Sequence, residues 1–303
     1  MRCLVTGASG FVGRSLIPHL RALGHDVIAW PRSGSFDLTH PAATIPTEWI
    51  LQLRDVDAVV HLAGLAHQRR GARSQDDYFL LNRDGTLRLA AAARAAGVRR
   101  FIFLSSAKVF GEGGAAIYCE TSPPTPLDAY AQSKWQAEQL LLEQYANSNM
   151  EIVILRPPLI YSRDAKANFA SLMRLAQLPM PLPFADINNR RALIGLENLV
   201  DLIALCLTHA HAAGKTLLCA DADHYSLTDI ITVIRRTLDR DPKLFRLPEL
   251  LFYALKTMLG RAVSTRLFGN FQMDCSTTYA ALDWKPPFSM EQILGGGARG
   301  PTA

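Results

Sequence analysis

The chain of 303 residues is long enough for one large domain with a smaller lobe, and its net charge of +5 comes from scattered Lys and Arg residues. The absence of long runs of like charge argues against nucleic acid as a partner, and no apolar stretch reaches the ~20 residues that a membrane span needs. The five cysteines are dispersed without a C-x-x-C pair, which predicts buried thiols in a reducing, cytoplasmic compartment and neither disulfides nor a metal site.

The first half of the chain alternates short apolar segments with helical patterns. The predicted strands are Arg2–Thr6, Asp26–Trp30, Ala58–Leu62, Arg100–Leu104, Ile152–Arg156 and Thr216–Cys219. The predicted helices are Val12–Ala22, Asp84–Ala96 and Ala129–Tyr145. Strands that are apolar throughout and are followed by helices belong to a parallel sheet covered on both faces. The pattern therefore predicts an α/β fold, a doubly wound parallel sheet of the Rossmann type, and no signal peptide is expected ahead of the first strand.

The turn after the first strand carries three regularly spaced glycines, Gly7, Gly10 and Gly13. Glycines let the backbone approach a pyrophosphate closely, and the N-terminus of the following helix offers free N–H groups and partial positive charge. A purely structural turn is the alternative, but dinucleotide binding requires this position between a strand and a helix. The predicted cofactor contacts in this segment are Gly7, Ser9, Gly10, Phe11, Val12 and Gly13.

The end of the second strand indicates the type of cofactor. An acidic residue there would bind the ribose 2′-hydroxyl of NAD, and a basic residue would bind the 2′-phosphate of NADP. The chain has Arg32 and Ser33 there and no carboxylate, so NADP(H) is favoured. NAD(H) stays open because Arg32 could be a solvated surface side chain. His61, in the next sheet strand, is expected to be a packed core residue. Further predicted cofactor contacts are Asp37, Leu38, Leu62, Ala63 and Gly64.

Three polar residues form the predicted catalytic set. Ser106 follows the fourth strand, and Tyr130 and Lys134 lie four residues apart on one face of a long helix. A free tyrosine, with a pKa of about 10, is a poor acid or base near neutrality. A neighbouring ammonium and a cationic nicotinamide would lower that pKa, and Ser106 can hydrogen-bond the same substrate oxygen. Because Lys134 can also bind the cofactor ribose, Tyr130 and Lys134 are predicted cofactor contacts as well.

Six segments along the chain resemble the NAD-dependent epimerase/dehydratase family, the extended branch of the short-chain dehydrogenases/reductases. They are Thr6–Gly13, His61–Gly64 (HLAG), Asn82–Thr86 (N-x-x-G-T), Ser105–Gly111 (SS-x-x-V-Y-G, with Phe110 in place of the tyrosine), Arg156–Pro158 (RPP) and Asp274–Pro286. The resemblance implies cofactor contacts from Asn82 and, on the nicotinamide side, from Pro157. It also implies a homodimer that forms through the helices after Asp84 and Ala129.

Two positions narrow the reaction that the resemblance implies. Sugar 4,6-dehydratases of the family carry an Asp-Glu pair directly after the catalytic Ser or Thr, whereas this chain has Ala107 and Lys108. The segments Ser105–Val109, Lys166–Phe169 and Asn189–Arg191 are similar to a bacterial subgroup that includes 4-reductases of UDP-4-keto-6-deoxy-N-acetylhexosamines in surface-polysaccharide synthesis. We therefore expect NADPH-dependent reduction of a keto group at C4 of a UDP-sugar.

Two other functions stay open. One is a UDP-hexose 4-epimerase, which would act on UDP-glucose or UDP-N-acetylglucosamine with tightly bound NAD; the motifs do not separate it from the reductase. The other is a non-catalytic sensor that binds NADP and a protein partner. The presence of Ser106, Tyr130 and Lys134 together disfavours the sensor.

The second lobe is expected to bind the diphosphate of the UDP-sugar. Arg191 aligns with a family arginine that contacts the sugar-nucleotide phosphates, and a guanidinium matches phosphate geometry. Asn168 is expected at the same group. Ser106 and Lys108 are expected near the sugar, although Lys108 could instead lie at the solvated rim of the cleft. Arg266 is a further candidate, with a surface charge as the alternative.

Proline-rich, less regular sequence in the second half sets the expected domain division. Residues 1–160 would form the dinucleotide-binding domain, and elements at about 192–222 would return to it. Residues 161–191 and 223–303 would form the substrate lobe. In that lobe the apolar segment 247–259 is interrupted by Pro, Glu and Lys, and it is expected to be a helix packed on the protein.

Overall fold

Six parallel strands form the large sheet of the protein. The computed structural model describes residues 1–30, 37–39, 45–66, 74–164 and 168–298. The strands are β1 (Arg2–Thr6), β2 (Asp26–Ala29), β3 (Ala58–His61), β4 (Arg100–Leu104), β5 (Ile117–Tyr118), β6 (Glu151–Arg156), β7 (Leu159–Tyr161), β8 (Arg191–Gly195), β9 (Thr216–Leu218), β10 (His224–Tyr225) and β11 (Gln272–Met273). The order in the large sheet is β2-β1-β3-β4-β6-β9, so the direction of strand addition reverses beside β1.

Helices cover both faces of the large sheet. They are α1 (Gly13–Ala22), α2 (Thr47–Gln52), α3 (Gln75–Tyr78), α4 (Thr86–Ala95), α5 (Ala129–Tyr145), α6 (Asn168–Ala176), α7 (Leu196–Thr208), α8 (Leu227–Arg236), α9 (Glu249–Phe268), α10 (Ser276–Leu282) and α11 (Met290–Gly295). Helices α1 and α7 pack together on one face, and α4 and α5 cover the other. Successive strand residues point to opposite faces. Cys3 and Val5 therefore join one apolar core and Leu4 joins the other. The predicted Rossmann-type α/β fold is confirmed.

The helix predicted to begin at Asp84 begins earlier. It starts with α3, passes through a π-helical segment at Phe79–Gly85 and continues into α4. A capping box begins α3, in which Ser74 Oγ accepts a hydrogen bond from Asp77 N and the Asp77 carboxylate accepts one from Ser74 N. The apolar periodicity of the sequence did not indicate this earlier start, because the residues in the first turn of α3 are polar. The other predicted strands and helices agree with the structure to within one residue at each end.

Two smaller sheets lie outside the large one, with the orders β10-β8-β7 and β11-β5. Strand β8 belongs to the first of these, whereas the α7 and β9 that follow it pack with the large sheet. A further apolar core joins α6, α8 and α11 through Phe169, Ile231 and Ile293. The small sheets and this core together form a layer beside the carboxyl end of β6.

Helix α9 packs on the protein by one face. Gly260, with a φ of +75°, interrupts its helical geometry. On one side of the helix, Leu255 and Phe268 pack against the core of α6, α8 and α11. On the opposite side, Leu250 and Met258 are 80% and 81% exposed. The segment is therefore a helix packed on the protein, as expected, and its other face is exposed.

The described residues contain five cysteines, and none of them forms a disulfide. Four are buried and Cys119 is partly exposed, so the expectation of buried thiols holds for four of them. Within the same described ranges, no group of three or more His, Cys, Asp or Glu side chains is arranged to hold a metal ion. None of the described helices has the length and apolar content to cross a membrane.

Candidate active site

The turn between β1 and α1 lies where the strand order reverses. Gly7 has a φ of +68°, and a Cβ atom on it would lie 2.8 Å from the backbone nitrogen of Ala63. Only glycine lets the end of β3 approach the turn this closely. A Cβ on Gly13 would overlap the Gly7 carbonyl oxygen, so α1 also begins in direct contact with the turn. Such a crevice at the carboxyl ends of parallel strands is where dinucleotides bind.

The first turn of α1 is open to an anion. Val12 precedes the helix without a side-chain capping bond, and no acidic side chain lies in the first turn. Ser9 and Gly10 are exposed at the turn, and Phe11 is partly buried. Uncapped N–H groups at a helix N-terminus carry partial positive charge. These residues therefore fit the pyrophosphate of a dinucleotide.

A buried histidine fixes the end of β3. His61 is fully buried, with its Nδ1 2.7 Å from Thr6 Oγ1 and its Nε2 2.9 Å from Thr86 Oγ1. Thr86 Oγ1 donates its hydrogen to the Asn82 carbonyl, so it accepts from His61 Nε2 and leaves Nδ1 to accept from Thr6. Burial lowers the pKa of His61 to about 3 and keeps it neutral. Thr6 Oγ1 in turn accepts from the Ala63 backbone nitrogen. His61 is a core residue, as predicted.

Asn82 lies in the π-helical segment and organises the loop after β3. Its Oδ1 accepts from Leu65 N at 2.8 Å, and its Nδ2 donates to the Leu65 carbonyl and to Ser133 Oγ. A Cβ on Gly64 would lie 3.1 Å from Asn82 Oδ1 and 3.2 Å from Lys134 Nζ. Gly64 thus brings this loop against the catalytic helix. Because Asn82 is fully buried and bonded to protein groups, its role in cofactor binding would be to shape the loop.

The structure brings together the three residues predicted to be catalytic. Asp128 caps α5 by accepting a hydrogen bond from Ala131 N at 2.8 Å, which sets the start of the helix that carries Tyr130 and Lys134. The Ser106 side chain, at the end of β4, is hydrogen-bonded to Tyr130. Lys134 Nζ donates to the Leu104 carbonyl at 2.8 Å. These contacts hold the ammonium and the two hydroxyls against the carboxyl end of β4.

Burial determines the protonation of the tyrosine and the lysine. It raises the pKa of Tyr130 to about 12, against the opposing effect of the hydrogen bond with Ser106. It lowers the pKa of Lys134 to about 7, although the Glu138 carboxylate favours the ammonium. The expected lowering of the Tyr130 pKa is therefore absent in the protein alone. Lowering it requires positive charge from a bound, oxidised nicotinamide.

A buried network behind these residues was missed by the sequence interpretation. The Glu138 carboxylate accepts a hydrogen bond from Ser105 Oγ and pairs with Arg156, with 2.6 Å between Oε2 and Nη2. Arg156 also lies over the rings of Phe110 and Trp135. The network joins the ends of β4 and β6 to α5. The signal in the sequence was an acidic residue four positions after Lys134, on the same helical face.

A chain of charges lies on the substrate side of Ser106. Lys108 Nζ is 2.6 Å from Asp128 Oδ2 and 3.4 Å from Glu112 Oε1, and Ser106 Oγ accepts from Lys108 N. Arg266, about half exposed, approaches Glu112 at 3.9 Å. Lys108 is therefore paired with two carboxylates, and its position relative to a bound sugar stays a prediction.

Arg191, predicted to contact the diphosphate, is tied to the end of α9. Its Nη1 donates to the Gly269 carbonyl at 2.9 Å and to the Thr265 carbonyl at 3.4 Å. Burial lowers its pKa, and nearby Glu112 opposes that change. The neighbouring Asn189 bonds to the Leu267 and Gly269 carbonyls. This cluster connects β8 with α9.

The remaining predicted site residues are distributed as follows. Pro157 is buried, and its carbonyl accepts a hydrogen bond from Ala107 N at 2.8 Å, which ties β6 to the turn after Ser106. Leu38 is buried against Gly85, and Asp37 accepts from Thr39 N. Arg32, Ser33 and the side chain of Asn168 lie outside the described residues.

The parallel sheet, the glycine turn and the Ser–Tyr–Lys set define a Rossmann-fold protein of the short-chain dehydrogenase type. The sequence profile of the NAD dependent epimerase/dehydratase family matches residues 3–220. The chain belongs to this family. It is an NAD(P)-dependent enzyme of nucleotide-sugar metabolism.

Relatives of the chain have more than one activity. A protein of Vibrio cholerae described as UDP-glucose 4-epimerase is 35% identical over 302 residues, which cover 95% of this chain and 92% of the relative. A GDP-6-deoxy-D-mannose reductase of Pseudomonas aeruginosa is 25% identical, covering 97% of this chain and 94% of the relative.

Two solved structures show the same fold. A short-chain dehydrogenase/reductase superfamily protein of Agrobacterium tumefaciens with bound NAD has a TM-score of 0.76 at 22% identity, covering 98% of this chain and 96% of that one. A Pseudomonas aeruginosa protein complexed with NADPH has a TM-score of 0.73 at 23% identity, covering 97% of each chain. These neighbours include both types of nicotinamide cofactor, so the fold leaves the preference of this chain open.

Proposed function

We propose that this enzyme reduces the C4 keto group of a UDP-4-keto-6-deoxy-N-acetylhexosamine with NADPH, in surface-polysaccharide synthesis. One observation carries the proposal: Ser106, Tyr130 and Lys134 converge beside positions 107 and 108 that carry no carboxylate. Ala107 is buried, and Lys108 is paired with Asp128. Elimination across C5 and C6 needs an acid and a base there, whereas hydride transfer at C4 needs only the three catalytic residues.

The residues present have clear roles in this reaction. The nicotinamide, when bound, supplies the hydride. Tyr130, whose pKa of about 12 keeps it protonated, donates the proton that the new C4 hydroxyl needs. Ser106 hydrogen-bonds the same oxygen, and Lys134 binds the cofactor ribose. Lys134, as an ammonium, would also stabilise the phenolate that Tyr130 becomes when it gives up this proton.

Substrate binding is proposed for the lobe formed by residues 161–191 and 223–303. Arg191 would bind the diphosphate, because a guanidinium whose Nη1 is fixed to a carbonyl is already oriented. Asn168 and Arg266 are proposed at the same group. Residues 1–160, with the returning elements at 192–222, would bind the cofactor. We also propose a cytoplasmic homodimer through the surfaces of α4 and α5.

The test is direct. Purified protein is given UDP-4-keto-6-deoxy-N-acetylglucosamine and NADPH, and absorbance at 340 nm is followed together with mass spectrometry of the product. One NADPH should be consumed for each product formed, and the purified protein should carry little bound NAD. Absence of NADPH oxidation with this substrate would falsify the reductase proposal.

A 4-epimerase is the second candidate, and the Vibrio cholerae relative favours it. An epimerase regenerates its cofactor in every turnover and therefore benefits from retaining NAD. An epimerase would interconvert UDP-glucose and UDP-galactose, or their N-acetyl forms, without added cofactor. That result would replace the reductase proposal and leave the roles of Ser106, Tyr130 and Lys134 in place. A non-catalytic sensor would show neither activity.

A further inference from the structure

The outward face of α9 is apolar and exposed over more than two helical turns. Leu250, Leu251, Tyr253 and Met258 are 80%, 55%, 71% and 81% exposed. Ala254 and Thr257, the other exposed residues between Leu250 and Met258, are uncharged as well. Isolated exposed apolar side chains are ordinary, but a contiguous group of this size marks an interaction surface.

The inner face of the same helix explains why the outer face is left uncovered. Leu255 packs against the core of α6, α8 and α11, and Phe252 is half-buried beside it. Lys256 Nζ lies 4.7 Å from the centre of the Phe252 ring and 5.8 Å from that of Phe268, so its charge lies on the inner side of the helix. The apolar residues opposite this side have no partner among the described residues.

Basic residues lie at both ends of the apolar face. Residues 241–268 contain five basic and two acidic side chains, a net charge of +3. Arg246 and Arg266 approach the carboxylates of Asp186 and Glu112, outside this segment, at 3.8 and 3.9 Å, which lowers the net charge to +1. The basic residues are Lys243, Arg246, Lys256, Arg261 and Arg266, and the acidic ones are Asp241 and Glu249. Lys243, Arg246 and Arg261 are exposed. An apolar helical face with basic residues at both ends and an aromatic side chain among its exposed members is typical of a helix that lies in a membrane interface.

We propose that α9 docks this face on the surface of an anionic lipid bilayer. Leu250, Leu251 and Met258 would enter the boundary between headgroups and acyl chains, and Tyr253 would lie at headgroup level. The flanking Lys and Arg side chains would contact lipid phosphates. The attachment is peripheral, since no described helix can cross the membrane.

A second copy of the chain is a less suitable occupant for this face. An apolar patch on this scale offers on the order of a few hundred Å², whereas a stable interface buries about 800 Å² on each partner. A symmetric contact between two copies would also bring the basic ends of the two helices towards each other. A lipid surface can bury the apolar face and also contact the flanking basic side chains through its phosphates.

Docking would also bring the candidate substrate lobe towards the bilayer. The end of α9 supplies the Thr265 carbonyl that accepts from Arg191, and the adjacent Gly269 carbonyl accepts from it too. Arg266 on the same turn approaches Glu112, near Ser106. The surface proposal does not depend on which sugar is reduced, because it rests on the exposed residues of α9 alone.

Vesicle flotation of the full chain tests the proposal. Vesicles of equal parts phosphatidylglycerol and phosphatidylcholine should carry the protein upward, vesicles of phosphatidylcholine alone should carry much less, and added salt should reduce binding to the anionic vesicles. The double variant Leu250→Glu/Met258→Glu should lower the bound fraction roughly tenfold, because two charges replace apolar side chains that would enter the bilayer. Arg261→Glu should weaken binding to the anionic vesicles and leave binding to the neutral ones unchanged.

Leu51→Glu is the matched control, since Leu51 is 55% exposed on α2, away from this face, and this variant should bind vesicles like the wild type. Circular dichroism confirms that each variant is folded, which is expected because the substituted side chains are exposed. Wild-type protein that stays in solution with anionic vesicles overturns the proposal. So does a wild-type dimer that the double variant converts to a monomer without any effect of lipid, because the face would then join two copies.

Discussion

The carboxylate of Glu138 and the guanidinium of Arg156 form a buried ion pair behind the proposed catalytic residues, with 2.6 Å between Oε2 and Nη2. Glu138 also accepts from Ser105, the neighbour of Ser106, and lies one helical turn after Lys134. The carbonyl of Pro157, next to Arg156, accepts from Ala107. One carboxylate thus links the ends of β4 and β6 to α5, the helix that carries Tyr130 and Lys134.

Glu138→Gln should be strongly destabilising. Removing one partner of a buried ion pair leaves the other charge unpaired, which costs about 3–5 kcal/mol. Thermal unfolding should therefore occur at a clearly lower temperature than in the wild type. Glu143→Gln, at an exposed position of the same helix, is the control and should have little effect. The double variant Glu138→Gln/Arg156→Met should recover part of the loss, and an unchanged melting temperature in the single variant would contradict this account.

Tyr130→Phe should reduce turnover by about 10²–10⁴-fold with little change in cofactor affinity, because only the hydroxyl transfers the proton. Steady-state kinetics and NADPH titration measure the two quantities. Tyr118→Phe keeps its stacking against Phe110 and serves as the control. Near wild-type turnover in folded Tyr130→Phe would remove Tyr130 from the mechanism.

Lys134 should make the stability of the cofactor-free protein depend on pH. Burial lowers its pKa from an ordinary 10.5 to about 7, so between these values the unfolded chain binds more protons at this site than the folded chain. This contribution therefore makes the protein more stable as the pH rises through that window. Lys134→Met should flatten the dependence and abolish activity, whereas Lys215→Met, at an exposed position, should retain it. Melting temperatures between pH 7 and 10 test this prediction; identical slopes for wild type and Lys134→Met would refute it.

Arg191→Ala should weaken UDP binding and leave NADPH binding nearly unchanged. Loss of a charged hydrogen bond should cost about 1.5–3 kcal/mol in binding free energy. Titration calorimetry with UDP and with NADPH measures both affinities. Arg190→Ala, the exposed neighbour, controls for a general loss of positive charge. An unchanged affinity for UDP would show that Arg191 only holds the end of α9.

Arg32→Asp should shift the preference from NADPH towards NADH. A carboxylate would repel the 2′-phosphate and could accept a hydrogen bond from the ribose hydroxyl. The ratio of kcat/KM values for the two cofactors measures the change. A wild-type enzyme that already prefers NADH would show that the end of the second strand was misinterpreted.

The sequence by itself determined the sheet and the positions of the local motifs. The bounds of the predicted strands agree with the structure because short, continuous apolar segments between turns are typical of strands in a parallel sheet covered on both faces. The glycine turn and the spacing of Tyr130 and Lys134 are local features, and the geometry of a turn or of one helical face follows from a few neighbouring residues.

Contacts between residues far apart in the chain were decided only by the tertiary structure. Glu138 and Arg156 lie 18 residues apart, and Arg191 and Gly269 lie 78 apart, so no periodicity of the sequence brings them together. Burial also depends on the tertiary structure. It raises the pKa of Tyr130 and lowers that of Lys134, whereas the sequence alone led us to expect that a neighbouring ammonium lowers the pKa of Tyr130. The exposed face of α9 was likewise decided only by the tertiary structure. Its sequence predicted a helix packed on the protein, which the structure has, but the sequence did not show which face would pack and which would be exposed.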